Sequence, residues 1–185
     1  ARVTIEEGSG ISSPFSLETI DGTHGVSFNG FERANTGIGA SPAGDINNDG
    51  IPDIAIGGWG SDPNGVDDAG RGMVIFGQSG MTSPFDLGTL NGTNGFYVNG
   101  VDTLGRLGWQ TAPLGDINND GIDDIIIGQP NWKDGQLSGN GKAIVIYGKN
   151  GGFAASSDTD AISAADGMVI TGASFGDMAG MGIAG

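Results

Sequence analysis

GDINNDGIPDIAIGG at 44–58 returns as GDINNDGIDDIIIGQ at 115–129, 71 residues later. A second pair keeps nearly the same separation: SGISSPFSLETIDGTHGVSFNG at 9–30 returns 70 residues later as SGMTSPFDLGTLNGTNGFYVNG at 79–100. A third, weaker copy runs through KAIVIYGKNGG and DGMVITGASFG. A fixed period of this size means one supersecondary unit repeated, which decides the architecture before any local reading does.

Each repeat divides into four strands, near 38–44, 54–58, 71–77 and 95–100, and then near 109–115, 125–129, 142–148 and 167–172. The second and third strands, such as IIIG and AIVIYG, are short continuous apolar runs bounded by glycine, the pattern of a strand buried on both faces. A four-stranded sheet packed between two similar sheets is a propeller blade. No 3.6-residue periodicity supports a helical solenoid. The fold class expected is all-β, part of a β-propeller of about two and a half four-stranded blades. In this register 1–36 finishes a preceding blade, 37–106 and 107–180 are two complete repeats, and 181–185 opens a further blade. Glu6 and Glu7 stand where Ile75 and Phe76 stand one repeat later, so the first strand departs from the pattern. The chain is expected to be an excerpt whose ends are covered by further blades of the same protein.

Composition agrees. The 185 residues include 38 glycines and 7 prolines spread along the chain, and 37% are hydrophobic, which describes many short strands and tight turns around a real core. Acidic residues outnumber basic ones 22 to 7, for a net charge of -15. That charge argues against nucleic acid or an anionic membrane surface as partner and makes a divalent cation the simplest counterion. No apolar run approaches the roughly 18 residues of a spanning helix, and zero cysteines exclude disulfides and thiolate metal sites.

Both copies of the opening stretch contain D-x-N-x-D-G-x-x-D: Asp45, Asn47, Asp49, Gly50, Asp53, and Asp116, Asn118, Asp120, Gly121, Asp124. Calcium takes six to eight oxygen ligands, and side chains at alternate positions of a tightly turning loop point at one centre. Glycine at the sixth position permits the turn, Ile51 or Ile122 at the seventh offers a carbonyl, and Asp53 or Asp124 at the ninth closes the site. EF-hand loops share the opening but place a carboxylate at position twelve and continue into a helix. Position twelve here is Ile56 or Ile127, inside a strand. Without metal, three clustered carboxylates with no basic residue in the loop would repel one another.

These residues resemble the FG-GAP repeats of the integrin α-subunit propeller and their bacterial relatives. Phe175-Gly176 matches the FG element, and GQP at 128–130 is close to GAP after the second strand; Ala34-Asn35 and Leu104-Gly105 replace the dipeptide in the other copies. The resemblance implies a seven-bladed fold and structural Ca2+, and phrases such as FDLGTLNGTNGFYVNG favour a bacterial secreted or surface setting.

Other residues carry less. His24 is a turn residue whose counterpart is Asn94. Asp158, Asp160 and Asp166 read as a solvated loop, Asp62, Asp67 and Asp68 as a polar loop with some claim to an accessory cation site, and Trp109 as core within a first strand. No catalytic constellation stands out, so the chain is not expected to be an enzyme. Strand alternation puts the loops at 31–37, 59–70, 101–107 and 129–141 on the rim opposite the metal loops. That rim holds Trp59 and Trp132 with Arg33, Arg106 and Lys133, where a protein or glycan ligand is expected to bind. The function expected is extracellular or cell-surface adhesion or recognition, with calcium structural. The alternatives are spacer repeats of a larger surface protein and a propeller domain attached to a polysaccharide- or lipid-acting enzyme.

Overall fold

A computed structural model describes residues 25–133 and 139–185. His24, the strand expected near 2–8 and most of the segment 1–36 lie outside the described residues. The described chain is all-β, with its strands in the blade order of a β-propeller.

The first blade consists of β2 (Ala40–Gly44), β3 (Asp53–Gly58), β4 (Arg71–Ile75) and β6 (Gly95–Asn99), each antiparallel to the next. The second consists of β7 (Thr111–Gly115), β8 (Asp124–Gln129), β9 (Lys142–Ile146) and β11 (Gly167–Thr171), paired in the same way. Three short strands complete the set: β1 (Phe28–Asn29), β5 (Phe85–Asp86) and β10 (Ser156–Asp158). β5 runs parallel to β1 and β10 parallel to β6, so the connection between the third and fourth strands of one repeat adds a strand to the outer edge of the previous sheet. The stretch containing Asp158, read from sequence as a solvated loop, is therefore partly sheet, and Asp158 accepts a hydrogen bond from Asn99 Nδ2 at 3.1 Å.

The continuous apolar runs bury both faces, as a blade between blades requires. From the first blade Ala55, Val74, Phe96 and Val98 meet Ile125, Ile127, Ile144 and Ile146 of the second in one inter-blade core. Ile56, Met73 and Ile75 turn to the other side, where Phe28, Phe85 and Leu87 cover them. The side chains of β8 split likewise, with Ile126 on the far face beside Ala112, Ala143 and Val145. Burying one such side chain contributes roughly 1.5–3 kcal/mol, so the inter-blade layer is the main source of cohesion. Backbones also approach closely: Gly57 and Gly128 sit where an added Cβ would lie 1.9 Å from the carbonyl oxygens of Gly108 and Gly180. Trp109, expected inside a first strand and in the core, precedes β7 and is half-buried, because Gly108 with φ 83 turns the chain there before pairing begins. No helix of the described residues is long and apolar enough to cross a membrane.

Candidate metal centre

β2 and β7 each end in a register shift, between Pro42 and Gly44 and between Pro113 and Gly115, where the chain leaves the sheet to form a loop. The turn at the sixth position uses left-handed glycine, Gly50 at φ 88 and Gly121 at φ 90, a conformation a side chain would strain. Asp45–Asp53 and Asp116–Asp124 then build the same hydrogen-bond network.

In the first loop Asp45 Oδ1 and Oδ2 accept from the N–H groups of Asp49 and Gly50, both at 2.9 Å. Asn47 Oδ1 accepts from the same Asp49 N–H at 3.1 Å, Asp49 Oδ1 accepts from Ile51 N–H at 2.8 Å, and Asn47 Nδ2 donates to Asp49 Oδ2 at 2.8 Å. In the second loop Asp116 accepts from Asp120 and Gly121 at 3.0 and 2.8 Å. Asn118 Oδ1 accepts from Asp120 N–H at 3.0 Å, and Asp120 Oδ1 accepts from Ile122 N–H at 2.9 Å. Oxygens from the first and third positions thus share one N–H, which brings donors from alternate residues to one point. The set is carboxylate and amide oxygen with no thiolate or cation in the loop, and it fits a hard cation such as calcium.

The ninth-position carboxylates lie deeper. Asp53 is 2% exposed; its Oδ2 accepts from Ile46 N–H at 2.9 Å and its Oδ1 from Gly77 N–H at 2.8 Å. Asp124, fully buried, accepts from Ile117 and Gly148 at 2.9 and 2.8 Å. Each joins its loop to the end of the neighbouring third strand, and each carboxylate oxygen keeps a second lone pair. Burial pushes the Asp53 carboxyl up from 3.8 to about 6, against the lowering effect of the Gly77 and Ile46 N–H groups, and the charge of Asp49 adds to the rise. Ile51 is exposed, whereas Ile122 is buried.

Sequence reasoning passed over Asp123, which occupies an unspecified position of the loop pattern and is Pro52 in the other copy. Its Oδ2 accepts from Asp45 N–H at 2.9 Å, across the blade boundary. A different trio of carboxylates, Asp62, Asp67 and Asp68, gathers within 4.8 Å on the other rim, largely exposed. There Asp62 Oδ1 accepts from Asp68 N–H at 2.8 Å.

On that other rim the loops at 31–37, 59–70 and 101–107 lie side by side, through Gly60 N–H to Ala34 O at 3.0 Å and Arg106 N–H to Asp68 O at 3.1 Å. Trp59 is half-buried against Trp109 at 5.5 Å, with the Arg106 guanidinium 5.0 Å over its ring. Trp132 is half-buried under Lys142 Nζ at 5.0 Å, while Arg33 and Lys133 are exposed. Thr36 Oγ1, Trp59 Nε1, Ser61 Oγ, Arg106 Nε and Gln129 Oε1 are buried without a hydrogen-bond partner among the described residues, and all five belong to this rim.

Comparison with known proteins gives mammalian relatives that share one printed name, phosphatidylinositol-glycan-specific phospholipase D. The Rattus norvegicus protein is 35% identical over 122 residues, 66% of this chain and 14% of the relative. The Mus musculus protein is 36% identical over the same length, and that of Homo sapiens 32% over 127 residues, 69% of this chain and 15% of the relative. The chain therefore spans about one-seventh of the length of the curated relatives it matches. Being mammalian, they lend no support to the expected bacterial setting. A match to the family described as FG-GAP repeat covers residues 107–146. The stretch from Leu107 through the second loop to Ile146 is thus the part of the chain that matches an FG-GAP repeat.

Proposed function

We propose that the chain is a calcium-stabilised propeller segment of an extracellular protein, with one ion at Asp45, Asn47, Asp49, Asp53 and the Ile51 carbonyl, and another at Asp116, Asn118, Asp120, Asp124 and the Ile122 carbonyl. The observation that carries this reading is the duplicated network of the two loops, which offers only oxygen donors in a chain of net charge -15. Bound calcium supplies charge neutralisation and a cross-link between loop and strand. The chain's own part is to hold the oxygens, through the N–H groups of the turn, and to tie the ninth carboxylate to the next strand. Extracellular modules of this kind bind with dissociation constants of roughly 0.1 to 1 mM. Calcium titration by calorimetry tests the reading; no binding, or equal thermal stability in calcium and chelator, rejects it.

The segment itself is non-catalytic in this reading and serves recognition, with a protein or glycan ligand on the rim opposite the metal loops. The buried polar atoms gathered there, which have no partner among the described residues, favour that rim, since such atoms call for water or a ligand. Loss of binding to an identified ligand in Trp59→Ala and Trp132→Ala, with folding intact, is the expected result. Intact binding in both variants would place the ligand on another face, and a chain that binds no host or matrix ligand would favour a spacer role.

A second reading is favoured by the relatives' printed name: the propeller accompanies an enzyme that acts on a lipid-linked glycan. Cleavage of phosphatidylinositol-glycan by a longer protein that contains this chain, with none by the 185-residue chain alone, supports it.

A further inference from the structure

The first metal loop is bonded to the blade that follows it as well as within itself. Four hydrogen bonds reach the first loop from the second blade. Asp45 N–H donates to Asp123 Oδ2 at 2.9 Å, Lys149 N–H donates to Ile46 O at 2.9 Å, Gly151 N–H donates to Asn47 O at 3.3 Å, and Asn48 Nδ2 donates to Asn150 Oδ1 at 2.6 Å. Ile46 is fully buried in the inter-blade core.

Asp123 is central to this contact. A Cβ at Gly44 would lie 2.2 Å from Asp123 Oδ2, so the glycine makes room for the carboxylate. The carboxylate brings a negative charge up to the backbone of the first position and fixes the peptide from which the Asp45 side chain reaches inward. Partners of this kind orient metal ligands, and their loss typically lowers metal affinity by 10–100-fold.

We infer that Asp123, supplied by the second blade, is a positioning residue of the first metal loop, so that calcium affinity at Asp45–Asp53 depends on the docking of the neighbouring blade. This rests on the calcium reading above. Because binding and docking are linked, occupation of the first loop also strengthens the contact between blades. The first loop is then a clasp between two repeats.

The test is calcium titration by calorimetry on the full chain with one loop silenced at a time. With the second loop silenced by Asp120→Ala, Asp123→Ala is expected to weaken binding at the first about tenfold. Asp123→Asn, which keeps an acceptor oxygen without the charge, should weaken it less. With the first loop silenced by Asp49→Ala, the loss caused by Asp123→Ala at the second loop should be much smaller. A metal-independent readout is amide hydrogen exchange in chelator, in which Asp123→Ala should speed exchange at Asp45 several-fold and leave Asp116 unchanged. Equal losses at the two loops, or unaltered exchange at Asp45, would overturn the inference. Absence of calcium binding in the unsubstituted chain would instead overturn the calcium reading and the affinity claim with it, leaving the exchange measurement to decide whether Asp123 holds Asp45.

Discussion

The rings of Phe96 and Phe153 stack at 4.5 Å and within 3° of parallel, one on the outer strand of the first blade and the other on a loop of the second. Phe76 closes on the same ring at 5.5 Å, and Lys149 Nζ lies 4.9 Å above it. Phe153→Ala removes the shared member of this cluster at a partly buried site and should cost about 2 kcal/mol, less than a fully buried Phe→Ala change. Urea denaturation measures it; a loss below about 0.5 kcal/mol, the usual size for a surface change, would show that the stack does not hold the blades together.

Gly57→Ala and Gly128→Ala should be among the most damaging small substitutions, since the added methyl group would meet backbone oxygen at 1.9 Å in each case. Each is expected to cost more than about 3 kcal/mol, because the obstacle is main chain, at Gly108 and Gly180, and not the end of a flexible side chain. Gly182→Ala, with nothing within 4 Å, is the control and should change little. Thermal unfolding of the three variants side by side decides the matter.

Lys142 Nζ lies 3.2 Å from Asp102 Oδ2 with its side chain 7% exposed, and burial lowers its pKa while Asp102 raises it. Asp102→Ala would leave a buried cation unpaired and should cost about 2 kcal/mol, whereas Lys142→Met, which removes the charge and keeps the stem against Trp132, should cost less than about 1 kcal/mol. The reverse order of the two losses in chemical denaturation would contradict this account.

In chelator, Asp53 should give the protein an unusual response to pH. Its folded pKa of about 6 lies above the ordinary 3.8, so the folded state takes up the proton first. Its contribution to stability is then fully present below pH 3.8 and lost as pH rises through about 6. The stability of the unsubstituted chain relative to Asp53→Asn should therefore fall between these limits. Calcium, which favours the ionised carboxylate, should reverse the trend. Melting temperatures of both chains across that range, with and without calcium, are the check, and a flat difference in chelator would refute it.

The eight blade strands were legible in the sequence because their apolar runs recur at one period and are bounded by glycine. The two nine-residue loops were legible as a repeated unit because their Asp and Asn residues stand at alternate positions in both copies. β5 and β10 were not, since Phe85–Asp86 and Ser156–Asp158 carry no shared alternation and owe their pairing to backbone contacts across a blade boundary. Asp123 escaped for a related reason. Its counterpart is Pro52, so comparison of the copies presents the position as free, although its carboxylate reaches 78 residues back along the chain. Trp109 was misjudged because the strand starts two residues later, at Thr111.

The parallel pairing of β5 on β1 and of β10 on β6 means that the stretch copied in the sequence and the sheet that folds are out of phase. Each repeat is laid over its predecessor like a roof tile, lending it an outermost strand. Excision of one repeat would therefore not simply shorten the array; it would strip the sheet upstream and leave the sheet downstream carrying a tile with nothing beneath it. An array built in this way grows or shrinks cleanly only when the seam travels with the tile.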